Sequence, residues 1–429
     1  MELSELSFEN YKAFHDRQTI EIRPLTVLIG RNNSGKSVIS RLPLLVGRAL
    51  SASAEGPFEL EFDGLDFGAS YVDLIHNRIP HGAIEVGVSV AFGGDVQWSF
   101  LAKIQHYIES RLLIVSHFEL RDSRDQTTTL IWRGADPVKD GTRYRVEEAQ
   151  RECNVWFKGL FPARLEFDGG SGIGADQLGQ RILDAKRCFS EAFSDVTYLG
   201  PFREQPQRRY RYSGGKPPNV GRGGGKAPQL LGDDRLRRQG KVLQAVGQWY
   251  GQHFGGWRLD VTQEGDSFSI VLRNAEAPSV EINLADVGAG IAQVLPIVVQ
   301  RHLEASPEQR RSSGRIEIVE QPELHLHPAA HGPLADLYVE AVKQSGVRFI
   351  LETHSENFVL RLRRRVAERN LDPSNLVIYW IDDLNPSARI VRRINVDHTG
   401  EVDTWPQGVF YEDFEELRHI RMAQKKVAE

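Results

Sequence analysis

Residues 30–37 read Gly30-Arg31-Asn32-Asn33-Ser34-Gly35-Lys36-Ser37, between the apolar run Leu25-Thr26-Val27-Leu28-Ile29 and a helix-patterned segment over 38–50. No other stretch constrains the fold as tightly. Glycines let backbone N–H groups curl around phosphate oxygens, a lysine reaches the β and γ oxygens, and a serine at a helix N-terminus offers its hydroxyl to Mg²⁺. Strand, loop and helix in that order open an α/β nucleotide-binding core. Gly30, Asn32, Asn33, Ser34, Gly35, Lys36 and Ser37 are therefore the expected nucleotide-binding residues, with ATP and Mg²⁺ as the expected ligands and Ser37 on the metal.

At 429 residues the chain has room for two or three domains, and 40% hydrophobic and 26% charged residues are the proportions of a water-soluble globular protein. A net charge of −5 argues against wholesale coating of nucleic acid and leaves room for a local basic patch. Only Cys153 and Cys188 are present, so no disulfide framework is expected and a reducing cytoplasm is the natural compartment. No apolar run is long enough for a membrane span, and the first eight residues are acidic and strand-like rather than a basic leader.

Along the chain, residues 1–50 form the N-terminal strands and phosphate loop of the core. Residues 51–195 are expected to hold an antiparallel meander (83–92, 96–105, 112–120, 128–132), from period-two alternation, followed by a mainly helical stretch over 140–195. Residues 196–256 carry a strand, a flexible basic Gly/Pro-rich loop and a helix; between positions 203 and 241 stand eleven Lys/Arg against three Asp/Glu. Residues 257–398 give three short strands, a helix over 289–302, and then strand, helix, strand, helix and strand, which is the pattern of a parallel sheet flanked by helices. Residues 399–429 end in a capping helix over 411–426.

A phosphate loop requires a distant acid at the tip of a neighbouring strand. Ile316-Glu317-Ile318-Val319-Glu320 supplies it and continues Gln321-Pro322-Glu323-Leu324-His325-Leu326-His327-Pro328. A second apolar strand ends Leu351-Glu352-Thr353-His354-Ser355, and Asp286-Val287-Gly288-Ala289-Gly290 is a Gly-rich helix start with N–H groups free to face an anion. His325 and His327 also admit a metal-ligand reading, weaker than that of a sequence continuing from the acidic strand, and His331 is expected to be an exposed helix residue.

This order of phosphate loop, Gly-rich helix start, acid-tipped strand with ELHLHP and strand ending in THS resembles the ABC-type ATPases of the OLD, RecF and SMC-like (AAA-type) group. The opening Phe8-Glu9-Asn10-Tyr11-Lys12-Ala13-Phe14 is similar to their first strand. Tyr198-Leu199-Gly200-Pro201-Phe202-Arg203 and Trp405-Pro406-Gln407-Gly408-Val409-Phe410 resemble a bacterial stand-alone subgroup with relatives in anti-phage systems, Septu-like and retron-linked. The resemblance covers about 1–50 and 196–410, and 51–195 match in architecture only. It implies an ABC-type P-loop ATPase head: a parallel core sheet flanked by helices, with an antiparallel β subdomain and a helical insertion. It further implies a homodimer or higher oligomer, with ATP between one copy's phosphate loop and Gly288 and Gly290 of the other. Carried over by position, Lys36 and Ser37 hold phosphate and Mg²⁺, Glu320 orients Mg²⁺ or its water, and His354 senses the γ-phosphate.

Two departures stand out. Gln321 occupies the position of a general-base glutamate, and losing a positioned base costs about 10²–10⁴ in rate, so slow turnover is expected unless Glu323 substitutes. No serine occupies the Gly-rich helix start. Arg208, Arg209 and Arg211, interleaved with Tyr210 and Tyr212, admit a DNA contact by phosphate binding and stacking as well as a solvated loop; for Arg361, Arg363, Arg364 and Arg365 a solvated helix face is favoured. No nuclease constellation follows the core, so cutting would fall to a separate effector protein. Three functions stay open: a hydrolysing switch that controls such an effector, a nucleotide-binding scaffold with little hydrolysis, and a RecF-like DNA-binding repair factor.

Overall fold

A strand buried on both faces reads as an unbroken apolar run, and Leu25–Ile29 is buried at every position, in the middle of a six-stranded sheet. The structure, a computed structural model, describes the chain except for residues 169–172, 213–214, 216, 278, 304–313, 345, 383–388, 407–417, 422–423 and 425–429. The strand order in this sheet is Asp195–Leu199, Arg315–Glu320, Val347–Glu352, Leu25–Ile29, Leu376–Asp382 and Ile390–Ile394. The first five are parallel and the last is antiparallel.

Alternation along these strands divides the interior in two. Leu28, Ile316, Ile318, Ile350 and Ile381 face a core shared with helix Leu42–Leu50 and the meander sheet. Leu25, Val27, Ile29, Phe349 and Leu351 face the opposite core, shared with helices Lys241–His253, Leu295–His302, Pro328–Gln344 and Glu356–Ala367.

The antiparallel sheet is larger than expected. Nine strands run in the order Phe161–Phe167, Arg151–Lys158, Arg143–Val146, Thr127–Trp132, Leu112–Asp122, Asp95–Tyr107, Ala83–Phe92, Glu2–Glu9 and Gln18–Glu21. Residues 140–195 are therefore not mainly helical: three strands occupy their first half, and the helix is confined to Ile173–Ala192. The charged run Glu147-Glu148-Ala149-Gln150-Arg151-Glu152 has helix-forming composition, but Tyr144, Val146, Cys153 and Val155 alternate in burial on either side of it, and tertiary pairing overrides propensity. The helix covers this sheet through Phe189, whose ring lies 4.8 Å from Phe100 and 5.4 Å from Phe161.

A third sheet joins Trp257–Glu264, Ser267–Asn274 and Glu281–Asn283, with Tyr210–Arg211 added at its edge. The basic segment is thus not one flexible loop: it contributes that strand and the helix Ala227–Arg237. Of the helix expected over 411–426, only residues 418–421 and 424 lie among the described residues. No helix among the described residues is long and apolar enough to cross a membrane.

Candidate functional site

The site lies where three adjacent parallel strands end together. Leu28 pairs with Glu352, and Glu352 pairs with Glu320. The ladder runs one residue further: Gln321 N–H donates to the Glu352 carbonyl at 2.7 Å, and Thr353 N–H to the Leu28 carbonyl at 3.1 Å. Residues paired in register project to the same face, so Glu320 and Glu352 stand side by side, next to the strand that launches the phosphate loop.

The loop has the backbone its glycines allow. Gly30 (φ 153°) and Gly35 (φ 112°) take conformations that disfavour side chains. A Cβ on Gly30 would lie 2.9 Å from Ser34 Oγ and 3.1 Å from the Ile381 carbonyl, and one on Gly35 would lie 3.0 Å from the Phe14 ring. Lys36 Nζ donates to the carbonyls of Gly30 at 3.0 Å and Arg31 at 2.6 Å, which folds the loop over its own lysine. Arg31, Asn32 and Asn33 are exposed at the rim, and the Ser34 hydroxyl is buried without a hydrogen-bond partner. The cradle that a Cβ would fill, the buried lysine and the hydroxyl of Ser37 beside a carboxylate suit a phosphate chain and its Mg²⁺.

The two carboxylates have different partners. Glu320, 2% exposed, is gripped by the Arg41 guanidinium, with Nε to Oε1 at 2.6 Å and Nη2 to Oε2 at 2.7 Å; Ser40 Oγ adds a bond at 3.3 Å. Arg41 also lies over the Tyr198 ring, 5.5 Å from its centroid. Glu352, 4% exposed, accepts from Ser37 Oγ at 2.8 Å, and its other oxygen is 4.0 Å from Lys36 Nζ. Burial, then the neighbouring Glu320, push the Glu352 carboxyl up to about 7, against the pull of Ser37, Lys36 and Arg41.

Behind these tips a buried polar layer fixes the backbone. Gln321 takes a left-handed conformation, φ 45°, which is costly for a side-chain-bearing residue. Arg203, 5% exposed, donates from Nη2 to the carbonyls of Glu320 at 3.2 Å and Gln321 at 2.9 Å, securing that turn. Glu323 accepts the backbone N–H of His354 at 2.7 Å, and burial raises its carboxyl. That bond ties the acidic strand's tip to the histidine's. Burial, then Lys36, lower the His354 imidazole to about 4, so it is neutral near pH 7. His331 differs from expectation: it is half-buried, its Nδ1 paired with Ser355 Oγ at 2.6 Å and its Nε2 with the Leu326 carbonyl at 3.2 Å.

At the Gly-rich helix start, Gly288 and Ala289 are exposed with open space over Gly288. Gly290 instead serves packing, because a Cβ there would lie 2.2 Å from the His325 carbonyl. Arg208 clamps Asp286 just ahead of it, at 2.6 and 2.9 Å. Arg209 pairs with Glu264 at 2.6 Å, and Arg211 is exposed. Tyr210 and Tyr212 both pack on Phe268, with centroids 5.6 and 4.8 Å away, so their faces are committed to the core rather than displayed for base stacking. Arg361 and Arg365 pair with Asp336, Arg364 with Glu368 and Arg363 with Glu401; only Arg364 of the four is exposed, so the helix face expected to be solvated is instead largely held in ion pairs. His325 and His327 are exposed, and no group of three or more metal-ligating side chains is found among the described residues.

Sequence reasoning missed Glu352, Arg41 and Arg203. Glu352 carried a readable signal, an acid at the last position of an apolar strand next to Thr353-His354-Ser355. For Arg41 and Arg203 the partners are far away in sequence and only the fold brings them in.

A family model described as an AAA ATPase domain matches residues 1–45 and 258–359, which carry the phosphate loop, the Gly-rich helix start, Glu320 and His354. No match is found among curated proteins. Among solved structures, an SMC head bound to the C-winged helix domain of ScpA has a TM-score of 0.46 at 12% identity, covering 92% of this chain and 98% of that one. The SMC head domain from Thermotoga maritima gives 0.41 at 13%, covering 92% and 100%. An SMC head with an extended coiled coil, bound to the C-terminal domain of ScpA derived from Pyrococcus furiosus, gives 0.42 at 12%, covering 98% and 99%.

Proposed function

Starting from the match to an AAA ATPase domain and a mixed α/β fold, we propose that the chain is an ABC-type ATPase that binds ATP with Mg²⁺, hydrolyses it slowly, and uses the cycle as a dimerisation switch. One observation carries the reading: a buried Lys36 and the Ser37 hydroxyl meet the buried Glu352 carboxylate at one strand tip, and the buried Glu320 stands beside it at the tip of the adjacent strand. Structural ion pairs alone do not require a glycine cradle beside them. Lys36 exchanges its bonds to the Gly30 and Arg31 carbonyls for phosphate oxygens, and Ser37 with an acidic tip holds the metal. When bound, Mg²⁺ neutralises charge on the β and γ phosphates. His354, neutral and within the field of Lys36, donates its ring N–H to a γ-phosphate oxygen.

Gln321 accounts for the slowness: an amide orients a water through hydrogen bonds but takes no proton from it. The same residue supports a second reading, a nucleotide-binding scaffold with little hydrolysis. In the switch reading the exposed start at Gly288 closes on the nucleotide of a second copy, and opening or closing governs a separate effector, such as a nuclease, or engagement of DNA. Membership of an anti-phage or DNA-associated system is the biological setting we propose, on the resemblance of the motifs alone. A RecF-like repair role would need Arg208, Arg209 and Arg211 to exchange their ion pairs and solvent for DNA phosphates.

The test is the molecular mass in solution, by light scattering, with ATP and Mg²⁺, with ADP, and without nucleotide. A doubling with ATP alone, lost in Lys36→Ala and in Gly288→Trp, is expected. A mass unchanged by ATP in protein that binds ATP would contradict the switch and favour the scaffold.

A further inference from the structure

Two carboxylates at neighbouring strand tips are one more than a phosphate loop needs, and their surroundings differ. The charge on Glu320 is already matched: Arg41 holds both its oxygens in a two-point grip, and Ser40 adds a third bond. Such paired, planar contacts are the strongest kind a carboxylate makes. Arg41 itself is anchored on the Tyr198 ring. Withdrawing Glu320 to a metal would strand a guanidinium against the sheet. Glu352 is as deeply buried and is next to Glu320 in register, yet it has no such grip: one oxygen takes the Ser37 hydroxyl at 2.8 Å and the other is 4.0 Å from Lys36. Lys36 in turn is pulled toward the Gly30 and Arg31 carbonyls. A buried carboxylate whose nearest cation stands 4.0 Å away is costly, and Glu352 lies against the very hydroxyl that a phosphate loop offers to Mg²⁺.

We propose that the tips divide the work: Glu352 is the carboxylate that meets the nucleotide's Mg²⁺ together with Ser37, and Glu320 anchors the phosphate-loop helix through Arg41. The proposal rests on the ATP-binding reading above and reassigns the acid within it. Ser37 sits one residue after Lys36 and Arg41 four residues further on, one helical turn apart. Each therefore faces its own strand tip, Ser37 toward Glu352 and Arg41 toward Glu320. Sequence spacing, with the acid strand followed by Gln321-Pro322-Glu323, points to Glu320 instead, because it does not show that Arg41 has taken both of its oxygens.

The test is calorimetric titration of the full chain with ADP, with and without Mg²⁺, for wild type, Glu352→Gln, Glu320→Gln and Lys36→Ala, joined by Mn²⁺ titration followed by electron paramagnetic resonance in the presence of ADP. Mg²⁺ should tighten ADP binding by wild type. Glu352→Gln should lose that gain, with Mn²⁺ affinity down roughly 10- to 100-fold, while binding of ADP without metal is kept. Glu320→Gln should keep the gain from Mg²⁺ and melt at a lower temperature, because Arg41 is left without its partner. Glu352→Asp keeps the charge and shortens the reach; it should show an intermediate gain and gives the reading if Glu352→Gln does not fold. A full Mg²⁺ gain in Glu352→Gln or Glu352→Asp, an equal loss in Glu352→Gln and Glu320→Gln, or no Mg²⁺ gain in wild type that binds ADP would overturn the division of roles. No ADP binding by wild type, or equal binding by Lys36→Ala, would overturn the ATP-site reading itself.

Discussion

The nine-stranded sheet and the tip of the six-stranded sheet bury side chains of opposite kinds, for opposite purposes. In the nine-stranded sheet and its covering helix the interior is aromatic and aliphatic, with Phe118 and Phe189 each in ring contact with both Phe100 and Phe161. At the tip of the six-stranded sheet, Lys36, Arg203, Glu320, Glu323, Glu352 and Thr353 are all buried within a few residues of strand ends. Apolar burial stabilises by about 25 cal/mol per Å², whereas each buried charge has to recover its desolvation through a partner. The first region carries stability. The second spends some of it to hold charges where a phosphate chain can use them.

Substitutions that separate the two regions sharpen this contrast. Gln321→Glu should have the largest effect, raising the rate of phosphate release by roughly 10²-fold or more, by restoring a proton acceptor, with little change in melting temperature. A rate that does not move would mean that another group, Glu323 or Glu352, already accepts the proton. Phe118→Ala should cost about 3–5 kcal/mol of stability in denaturant titration and leave turnover per folded molecule as it was, since Phe118 is fully buried in the nine-stranded sheet and remote in sequence from the tips at Glu320 and Glu352. Loss of ATP binding in folded Phe118→Ala protein would break the comparison. Arg203→Met keeps the stem and removes the two carbonyl contacts under Glu320 and Gln321, so it should cost about 1.5–3 kcal/mol and lower turnover together with stability, unlike either preceding variant. Smallest of all, Arg209→Ala should change stability by less than about 1 kcal/mol, because its pair with Glu264 is exposed. Duplex binding that weakens in that variant at low salt would give the arginine a role beyond its ion pair.

Much of this was legible in the chain. Leu25–Ile29, the phosphate loop and the strands ending at Glu320 and Glu352 were readable because buried parallel strands and glycine cradles have local signatures. The meander was readable up to Trp132, where alternation is clean. It was lost after Arg143, where short strands joined by charged turns imitate a helix and only pairing with neighbours decides. The same limit applies at the site. Gln321, Glu323 and His354 were found by their neighbours in sequence. The Arg41 grip on Glu320, the Arg203 bonds to two carbonyls and the Ser37 contact with Glu352 join residues more than a hundred positions apart. They follow from sheet order, which no single segment encodes.

The central claim is that Lys36 and the strand tips form a working ATP site, and phosphate release from ATP by the purified chain with Mg²⁺, beside Lys36→Ala, tests it most directly. Slow, Mg²⁺-dependent release by wild type that Lys36→Ala abolishes is the predicted result. Equal release by the two proteins, or a wild type that neither binds nor hydrolyses ATP, would contradict it.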